Sequence, residues 1–193
     1  MNILLASSSP YRKQLLKRLN LKFQQASPNI DETPQPGERA QELSLRLSLE
    51  KSRALASQYP DTLIIASDQC ASLGNMILGK PGNRDKAIEQ LTRCSSKQVT
   101  FHTGICLLNT TTGRQQLECV DYSVWFRPLS STQITTYIDV EKPLDCAGSF
   151  KCEGLGITLF EKMAGDDPDS LIGLPLITLT TMLINEGVYP LGR

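Results

Sequence analysis

Residues 62–73 read TLIIASDQCASL, and this stretch decides what kind of sheet the chain can form. Its first half is continuously apolar, which is typical of a strand in a sheet that is covered on both faces. Asp68 interrupts the apolar run, and a carboxylate in a buried strand is costly unless it is paired with a cation or bound to a metal ion. The stretch therefore predicts a buried strand that carries a candidate functional acid. The alternative is an edge strand in which Asp68 faces water.

The segments on both sides of this strand alternate between strand and helix patterns. Further strands are predicted at residues 1–6, 22–26, 76–78, 98–109 and 114–126. Helices are predicted from Pro10 to about residue 20 and at residues 39–59, 84–94, 130–140 and 170–186. A polar loop, SPNIDETPQPGE (27–38), and a glycine-rich stretch, CAGSFKCEGLGITLFEKMAG (146–165), complete the pattern. Because no repeat or linker divides the chain, we predict a single α/β domain of residues 1–193 with a mixed sheet.

The composition excludes several classes of protein. The chain has 193 residues, of which 40% are hydrophobic and 21% charged, so it is not a disordered, collagen-like or coiled-coil protein. Twenty basic residues balance twenty acidic ones, which argues against a nucleic-acid-binding protein. The sequence lacks the run of about 20 apolar residues that a membrane span needs. The first basic residues follow an apolar stretch, the reverse of a signal peptide, so we expect a cytoplasmic protein.

The cysteines and the single histidine limit the chemistry. There are six cysteines and no C-x-x-C pair, so we expect reduced and mostly buried thiols instead of a zinc site or a redox motif. His102 is the only histidine, which excludes any mechanism that requires two imidazoles. It lies in the alternating pattern QVTFHTGICLL, and we expect it to have structural partners.

A first candidate site is the turn of Ser7, Ser8 and Ser9 before Pro10. The turn leads from a strand into a helix, where free backbone N–H groups and the helix dipole favour a phosphate. Arg12, one turn into the helix, can add a bidentate contact to phosphoryl oxygens. The alternative is an ordinary helix cap.

Charged residues elsewhere supply further candidates. Lys51, Lys80 and Lys151, with Arg12, would provide the positive charge that a triphosphate requires, and nearby acids would hold a divalent ion. The loop acids Asp31 and Glu32 are candidates for that role, although most loop acids are only solvated. The P-loop and G-x-G-x-x-G motifs are both absent, so a kinase or GTPase is not expected.

Seven motifs in order resemble one protein family. They are LLASSSPYRKQLL (4–16), NIDET (29–33), LSLEKSRALA (47–56), IIASDQCASL (64–73), ILGKP (77–81), CAGSFKCEGLG (146–156) and DSLIGLPL (169–176). Together they resemble the Maf family of nucleotide pyrophosphatases nearly end to end. The resemblance implies a fold similar to that of inosine triphosphate pyrophosphatases, with a long twisted mixed sheet and helices around a central cleft. It also implies hydrolysis of a nucleoside triphosphate to the monophosphate and pyrophosphate, dependence on a divalent cation (Mg²⁺ or Mn²⁺) and a homodimer.

Three positions resemble one branch of the family. Tyr11, Gln69 and Glu153 are similar to the branch that hydrolyses 7-methyl-GTP, whereas the dTTP/UTP branch tends to have Arg, Thr and Gln there. The 7-methylguanine ring is cationic, so an aromatic face at Tyr11 and a carboxylate at Glu153 suit it. Cys70 departs from the Val that is more frequent in the family, which is a small apolar change.

The resemblance and the side-chain chemistry together imply roles for the candidate residues. Asp68 orients or deprotonates the attacking water, or holds with Glu32 one divalent ion. The other roles are charge neutralisation by Arg12, Lys51 and Lys80, phosphate binding by Ser7, Ser8 and Ser9, and base recognition by Tyr11, Gln69 and Glu153. The alternatives are a nucleotide-sensing regulator of cell division without turnover, a dTTP/UTP pyrophosphatase, and a housekeeping enzyme for several non-standard nucleotides.

Overall fold

The computed structural model describes residues 2–192, which form a seven-stranded mixed sheet with helices on both faces. The strands are β1 (Asn2–Ala6), β2 (Gln24–Ala26), β3 (Thr62–Leu73), β4 (Met76–Leu78), β5 (Gln98–Asn109), β6 (Gln115–Phe126) and β7 (Phe160–Gly165). The helices are α1 (Pro10–Lys17), α2 (Ala40–Ala56), α3 (Arg84–Cys94), α4 (Ser131–Glu141) and α5 (Leu176–Asn185). Met1, part of the first predicted strand, lies outside the described residues.

The sheet has the order β2-β1-β3-β5-β6-β7, with β4 paired to β3. β1 runs parallel to β2 and β3, and the other pairs are antiparallel. Asp68 lies in β3 and is 8% exposed, so the alternative of an edge strand facing water is wrong.

One edge of β3 has a gap between its two partners. β1 pairs with Thr62 to Ile65 and β4 pairs with Ala71 to Leu73. Among the described residues, no strand pairs with this edge of β3 over residues 66–70, which include Asp68. β1 ends beside the gap, so the serine turn that follows it comes close to Asp68. The sheet topology thus creates an opening beside the buried acid.

Two apolar layers explain the continuous hydrophobicity of β3. Leu63 and Ile65 pack with α1 and α5 on one face of the sheet. Ile64 and Ala66 pack with Leu55 of α2 on the other face. Successive strand residues point to opposite faces, so a strand covered on both sides must be apolar at every position. The prediction of a doubly covered sheet is confirmed.

Helix α2 lies unusually close to the sheet at Gly104 of β5. A Cβ atom at residue 104 would lie 2.3 Å from the carbonyl oxygen of Ser44 and 2.7 Å from Ser48 Oγ. The helix presents buried serines here, because larger side chains would hold it away from the strand. This close approach brings Lys51, one turn after Ser48, next to β3.

Gly104→Ala should therefore destabilise the protein by about 3 kcal/mol or more, at the upper end of the range for overpacking, because the new methyl group meets backbone atoms. The measurement is the free energy of unfolding in urea. Gly79→Ala is the matched control, since a Cβ atom there meets nothing within 4 Å. A Gly104→Ala protein within 0.5 kcal/mol (about the scatter of neutral surface changes) of the wild type would contradict the close approach.

The glycine-rich stretch is anchored by aromatic residues. Phe150 makes edge-to-face contacts with Phe101, Phe126 and Phe160 at centroid distances of 5.0, 6.2 and 4.9 Å. Such pairs combine a large buried area with favourable ring geometry. Lys151 and Glu153 come one and three residues after Phe150, and both line the cleft described below.

The structure corrects several predicted elements. The predicted helix at residues 170–186 is wrong at its start: a short 3-10 helix covers Pro168–Ile172, and α5 begins only at Leu176. Gly173 has a φ of 112° and ends the first helix, and Pro175 cannot donate a helical hydrogen bond. β7 was not predicted, because its sequence FEKMAG has large apolar residues only at its first and fourth positions, which is not the alternation of a strand. The second predicted strand is shorter, beginning at Gln24 instead of residue 22.

The cysteines and the histidine are placed as follows. All six cysteines are free, as predicted, but only Cys70, Cys94 and Cys106 are buried, so the expectation of mostly buried thiols is wrong for half of them. His102 has the expected structural partners, Ser72 and Asp121.

Within residues 2–192, none of the helices has the length and apolar character needed to cross a bilayer.

Candidate active site

A cleft of about 590 Å³ opens at the gap in the edge of β3. Its wall is formed by the serine turn and α1 on one side, by α2 and β3 at the bottom, and by the segment around Phe150 opposite. The eleven residues with an assigned role all line this cleft: Ser7, Ser8, Ser9, Tyr11, Arg12, Glu32, Lys51, Asp68, Gln69, Lys80 and Glu153. Of the other two candidates, Lys151 lines the cleft and Asp31 does not. The eleven residues come from segments far apart in the chain, and the fold brings them together.

At the bottom of the cleft, Lys51 pairs with two carboxylates. Its Nζ lies 2.5 Å from Asp68 Oδ1 and 2.6 Å from Glu32 Oε1. The side chains of Lys51 and Asp68 are 7% and 12% exposed, whereas that of Glu32 is 50% exposed. Asp68 is thus a buried acid with a partner, as a strand carboxylate requires, and Glu32 faces the open part of the cleft.

Ser48 of α2 fixes the backbone at Asp68. The N–H of Asp68 points to the unpaired edge of β3 and donates to Ser48 Oγ at 2.9 Å. Ser48 Oγ in turn donates to the carbonyl oxygen of Ser44 at 2.7 Å. The hydroxyl therefore satisfies a buried N–H that a strand partner would otherwise satisfy. Ser48 was not identified from the sequence, where it is one of several serines on the helix.

The serine turn has the features of an anion site. Ser9 caps α1, with its Oγ accepting from the N–H of Arg12, and Ser7 Oγ accepts from the N–H of Ser9. Among the described residues, none accepts a hydrogen bond from the N–H groups of Ser8 or Tyr11. Both donors lie at the positive end of the helix dipole and are available to a phosphate.

Gly173 holds Arg12 over the turn. Arg12 Nε donates to the carbonyl oxygen of Gly173 at 2.8 Å, and Ser67 Oγ donates to the same oxygen at 2.9 Å. One guanidinium nitrogen also lies 3.4 Å from Ser7 Oγ. This leaves N–H groups on the outer side of the guanidinium for a ligand. The DSLIGLPL motif therefore acts on the site through a backbone carbonyl.

The charges in this part of the cleft influence one another. Burial lowers the pKa of Arg12, and the nearby Asp68 and Glu32 oppose that shift. Burial opposes ionisation of Glu32, but Lys51, Lys80 and Arg12 outweigh it and lower the pKa of this carboxyl. Three cations thus surround two carboxylates, which gives this end of the cleft a net positive charge.

Gln69 is held mainly by the protein. Its Nε2 lies 2.7 and 3.0 Å from the carbonyl oxygens of Ser170 and Leu171 and 3.1 Å from Thr103 Oγ1. Its donor capacity is therefore used within the protein. Among the described residues, none donates to its Oε1, so a ligand in the cleft would meet Gln69 as a hydrogen-bond acceptor.

A second part of the cleft, its acidic end, carries more acids than bases. Glu153 and Asp145 both line it, together with Lys151. Burial raises the pKa of the Cys146 thiol to about 12, Asp145 and Glu153 add to the increase, and Lys151 opposes it. The backbone N–H of Lys151 donates to Tyr137 Oη at 2.9 Å, which fixes the segment between these acids. Asp145 was not identified from the sequence because it lies outside the recognised motifs.

The thiols in the cleft are poor nucleophiles. Burial and the neighbouring Asp68 raise the pKa of Cys70, and burial and Glu153 raise the pKa of Cys152 to about 12. A thiol, unlike a thiolate, is a weak nucleophile, so covalent cysteine catalysis does not fit this site.

Comparisons with known proteins identify relatives of this chain. The model of the Maf-like protein family matches residues 2–186. A relative from Alcanivorax borkumensis, called 7-methyl-GTP pyrophosphatase, is 57% identical over 186 residues, which cover 96% of this chain and 94% of the relative. A relative of the same name from Pseudomonas aeruginosa is 54% identical over 187 residues, 97% of each chain.

Solved structures confirm the predicted fold. The Ham1 proteins of Staphylococcus aureus and Coxiella burnetii both match with a TM-score of 0.55, at 15% and 16% identity. The matches cover 96% of this chain and 100% and 99% of those chains. The family model and the relatives at more than half identity over nearly the whole chain lead to one conclusion: this chain belongs to the Maf family.

Proposed function

We propose that this protein hydrolyses 7-methyl-GTP to 7-methyl-GMP and pyrophosphate. The name of the relatives at 54–57% identity supports this activity. The observation that carries the proposal is the division of charge in the cleft. A cationic end holds three bases, Arg12, Lys51 and Lys80, against the acids Asp68 and Glu32. An acidic end holds Asp145 and Glu153 against one base, Lys151. A substrate with an anionic triphosphate and a cationic base matches both ends.

The reaction assigns each group at the cationic end a task. Water attacks the α-phosphorus, the bond from that phosphorus to the bridging oxygen breaks, and the electron pair leaves with pyrophosphate. Asp68 orients the water and accepts its proton. Arg12 and Lys80 offset the negative charge that develops on the leaving group, and the N–H groups of the serine turn bind a phosphate. Lys51 keeps the carboxylate of Asp68 in place.

A divalent cation fits the donors that are present. Asp68 and Glu32 both contact one Lys51 nitrogen, so their oxygens converge on a small region at the bottom of the cleft. Mg²⁺ and Mn²⁺ prefer oxygen ligands, and Mg²⁺ in nucleotide sites is held by one or two carboxylates plus substrate phosphates. Such an ion, held by Asp68 and Glu32, would supply Lewis-acid polarisation of the phosphate oxygens.

The acidic end supports selection of the methylated base. Glu153 is exposed in the cleft, and Tyr11 is 39% exposed on α1, so both can contact a ligand. Methylation at N7 gives the guanine ring a positive charge that GTP lacks. A carboxylate and an aromatic face each favour that charge by about 0.5–2 kcal/mol in a partly desolvated cleft.

Glu153→Gln should lower kcat/KM for 7-methyl-GTP more than for GTP, because it removes the charge and keeps the shape. The measurement is the ratio of the two kcat/KM values from pyrophosphate release. Glu161→Gln, an exposed acid of β7 that does not line the cleft, is the matched control and should keep the ratio. An unchanged ratio in Glu153→Gln would contradict electrostatic selection and leave shape or Gln69 as the cause.

A panel of triphosphates tests the function as a whole. The wild-type protein with Mg²⁺ or Mn²⁺ should release pyrophosphate from 7-methyl-GTP faster than from GTP, dTTP, UTP or deaminated purine triphosphates. A faster rate on dTTP or UTP would overturn the substrate assignment. Binding without turnover of any triphosphate would favour a nucleotide sensor, although such a protein has no need of the buried Asp68–Lys51 pair.

The resemblance to the family also supports a homodimer, which sedimentation would test against the 21.3 kDa mass of the chain.

A further inference from the structure

A second cluster of chemically active side chains lies outside the cleft. His102 of β5 faces Asp121 of β6 across the strand pair, and Cys119 is two residues before Asp121 on the same face. One ligand atom from each of the three residues lies within 4.8 Å of the others. None of the three lines the cleft. The cluster therefore has no part in the proposed hydrolysis.

The distances within the cluster suit a small ion. His102 Nδ1 lies 2.7 Å from Asp121 Oδ1, and that oxygen lies 3.7 Å from Cys119 Sγ. Tetrahedral zinc separates its ligand atoms by about 3.4–3.6 Å, given metal–ligand distances of about 2.0–2.3 Å. For such an ion the histidine–aspartate distance has to widen, and the Asp121 side chain is 51% exposed. The third pair, His102 and Cys119, lies within 4.8 Å.

The histidine is already oriented by a hydroxyl. His102 Nε2 lies 3.0 Å from the Oγ of Ser72, a buried residue of β3, and the His102 side chain is only 15% exposed. Histidines that bind a metal through one nitrogen usually donate the other N–H to such a partner, which fixes the ring and its tautomer. Ser72 therefore makes this a built arrangement instead of a chance group of surface residues.

We propose that His102 Nδ1, Cys119 Sγ and the Asp121 carboxylate bind one Zn²⁺ ion, with water as the fourth ligand. The nitrogen, sulfur and oxygen donors are the three that zinc accepts in proteins, and the sulfur disfavours Mg²⁺. On binding, the thiol proton passes to solvent, and the imidazole proton resides on Nε2, which donates to Ser72. The ion links β5 to β6 and stabilises the sheet beside the cleft.

The test uses Co²⁺ as a spectroscopic probe on the reduced, metal-free full chain. One equivalent of Co²⁺ should produce a thiolate charge-transfer band that Zn²⁺ abolishes by displacement and excess Mg²⁺ does not. Cys119→Ser should remove the band. Ser72→Ala should weaken Co²⁺ binding by about 10- to 100-fold, the range for losing an orienting partner, and His102→Gln and Asp121→Asn should weaken it at least as much. The cleft also holds a thiol beside a carboxylate, Cys70 next to Asp68, so the loss of the band in Cys119→Ser is what assigns the band to this cluster.

Glu118→Gln is the matched control, because Glu118 lies on the same strand but its side chain points to the opposite face. Melting curves without metal verify that each variant is folded. A further measurement needs no variant: Zn²⁺, but not Mg²⁺, should slow alkylation of Cys119 in the wild-type protein, as determined by peptide mapping. The proposal is overturned if the wild type shows no band, if the band persists in Cys119→Ser, if His102→Gln and Asp121→Asn bind like the wild type, or if Zn²⁺ leaves the alkylation of Cys119 unchanged.

Discussion

Asp68→Asn is expected to lower kcat for pyrophosphate release by about 10²- to 10⁴-fold, the contribution of a positioned general base. The substitution keeps the size of the side chain and removes its ability to accept a proton. The fold should persist, because the N–H of residue 68 still bonds to Ser48 Oγ and the strand pairing with Gly104 does not use the carboxylate. Steady-state kinetics with 7-methyl-GTP measure the loss, and circular dichroism verifies the fold.

The matched control is Asp31→Asn. Asp31 is exposed beside Glu32, its side chain accepts from the N–H of Thr33, and it does not line the cleft, so activity should be unchanged. A folded Asp68→Asn protein with near-wild-type activity would refute the catalytic role. Titration with Mg²⁺ or Mn²⁺ separates the two roles of the acid. If Asp68 is chiefly a metal ligand, the variant needs more metal for half-maximal rate, and if it is the base, the metal requirement is unchanged.

Arg12→Ala and Lys80→Ala are each expected to cost about 2–4 kcal/mol of transition-state stabilisation, the range for losing one preorganised charge partner. Arg12 is held by Gly173 with its outer N–H groups free, and Lys80 lies near enough to Glu32 to lower its pKa. Arg12 is therefore in place before substrate arrives, which is what gives a fixed charge its effect, and Lys80 adds positive charge near Glu32. The quantity to measure is kcat/KM for 7-methyl-GTP.

Lys13→Ala provides the comparison for Arg12→Ala. Lys13 is the next residue of α1, is exposed and does not line the cleft, so its loss should change kcat/KM little. Arg12→Lys should restore only part of the activity, because an ammonium group cannot make the two-point contact with phosphate and the contact with Gly173 together. If both alanine variants remain within twofold of the wild type, the phosphate contacts lie elsewhere in the cleft.

Most of the fold follows from patterns that the sequence carries locally. The continuous apolar run of β3 predicted a sheet covered on both faces, because burial on each face dictates the residue types of a strand. The failures occur where burial gives no periodic signal. β7 is mostly exposed, and the break at Gly173 is a backbone conformation that the surrounding apolar residues conceal.

The motifs identified the residues of the candidate site, but they did not predict the contacts that hold these residues in place. All eleven residues with an assigned role, from the serine turn to Glu153, could be identified from the motifs, and all of them line the cleft. The sequence did not supply Ser48, Asp145 or the carbonyl of Gly173, because these groups act through a backbone contact or a spatial neighbour. The sequence also indicated no zinc site, because it lacks the C-x-x-C pairs that are typical of such sites. The zinc ligands that we propose come from two neighbouring strands, and only the pairing of β5 with β6 brings them together.

By itself, then, the sequence determined the mixed α/β fold, the family and the residue types available for chemistry, since these depend on patterns along the chain. Only the tertiary structure decided how the charges pair. The gap between β1 and β4 exposes Asp68 to the cleft, and the close approach of α2 at Gly104 carries Lys51 to it. Both features depend on contacts between segments that are distant in sequence. The energy of a buried ion pair depends on the distance between its charges and on their burial, and only the three-dimensional structure sets these.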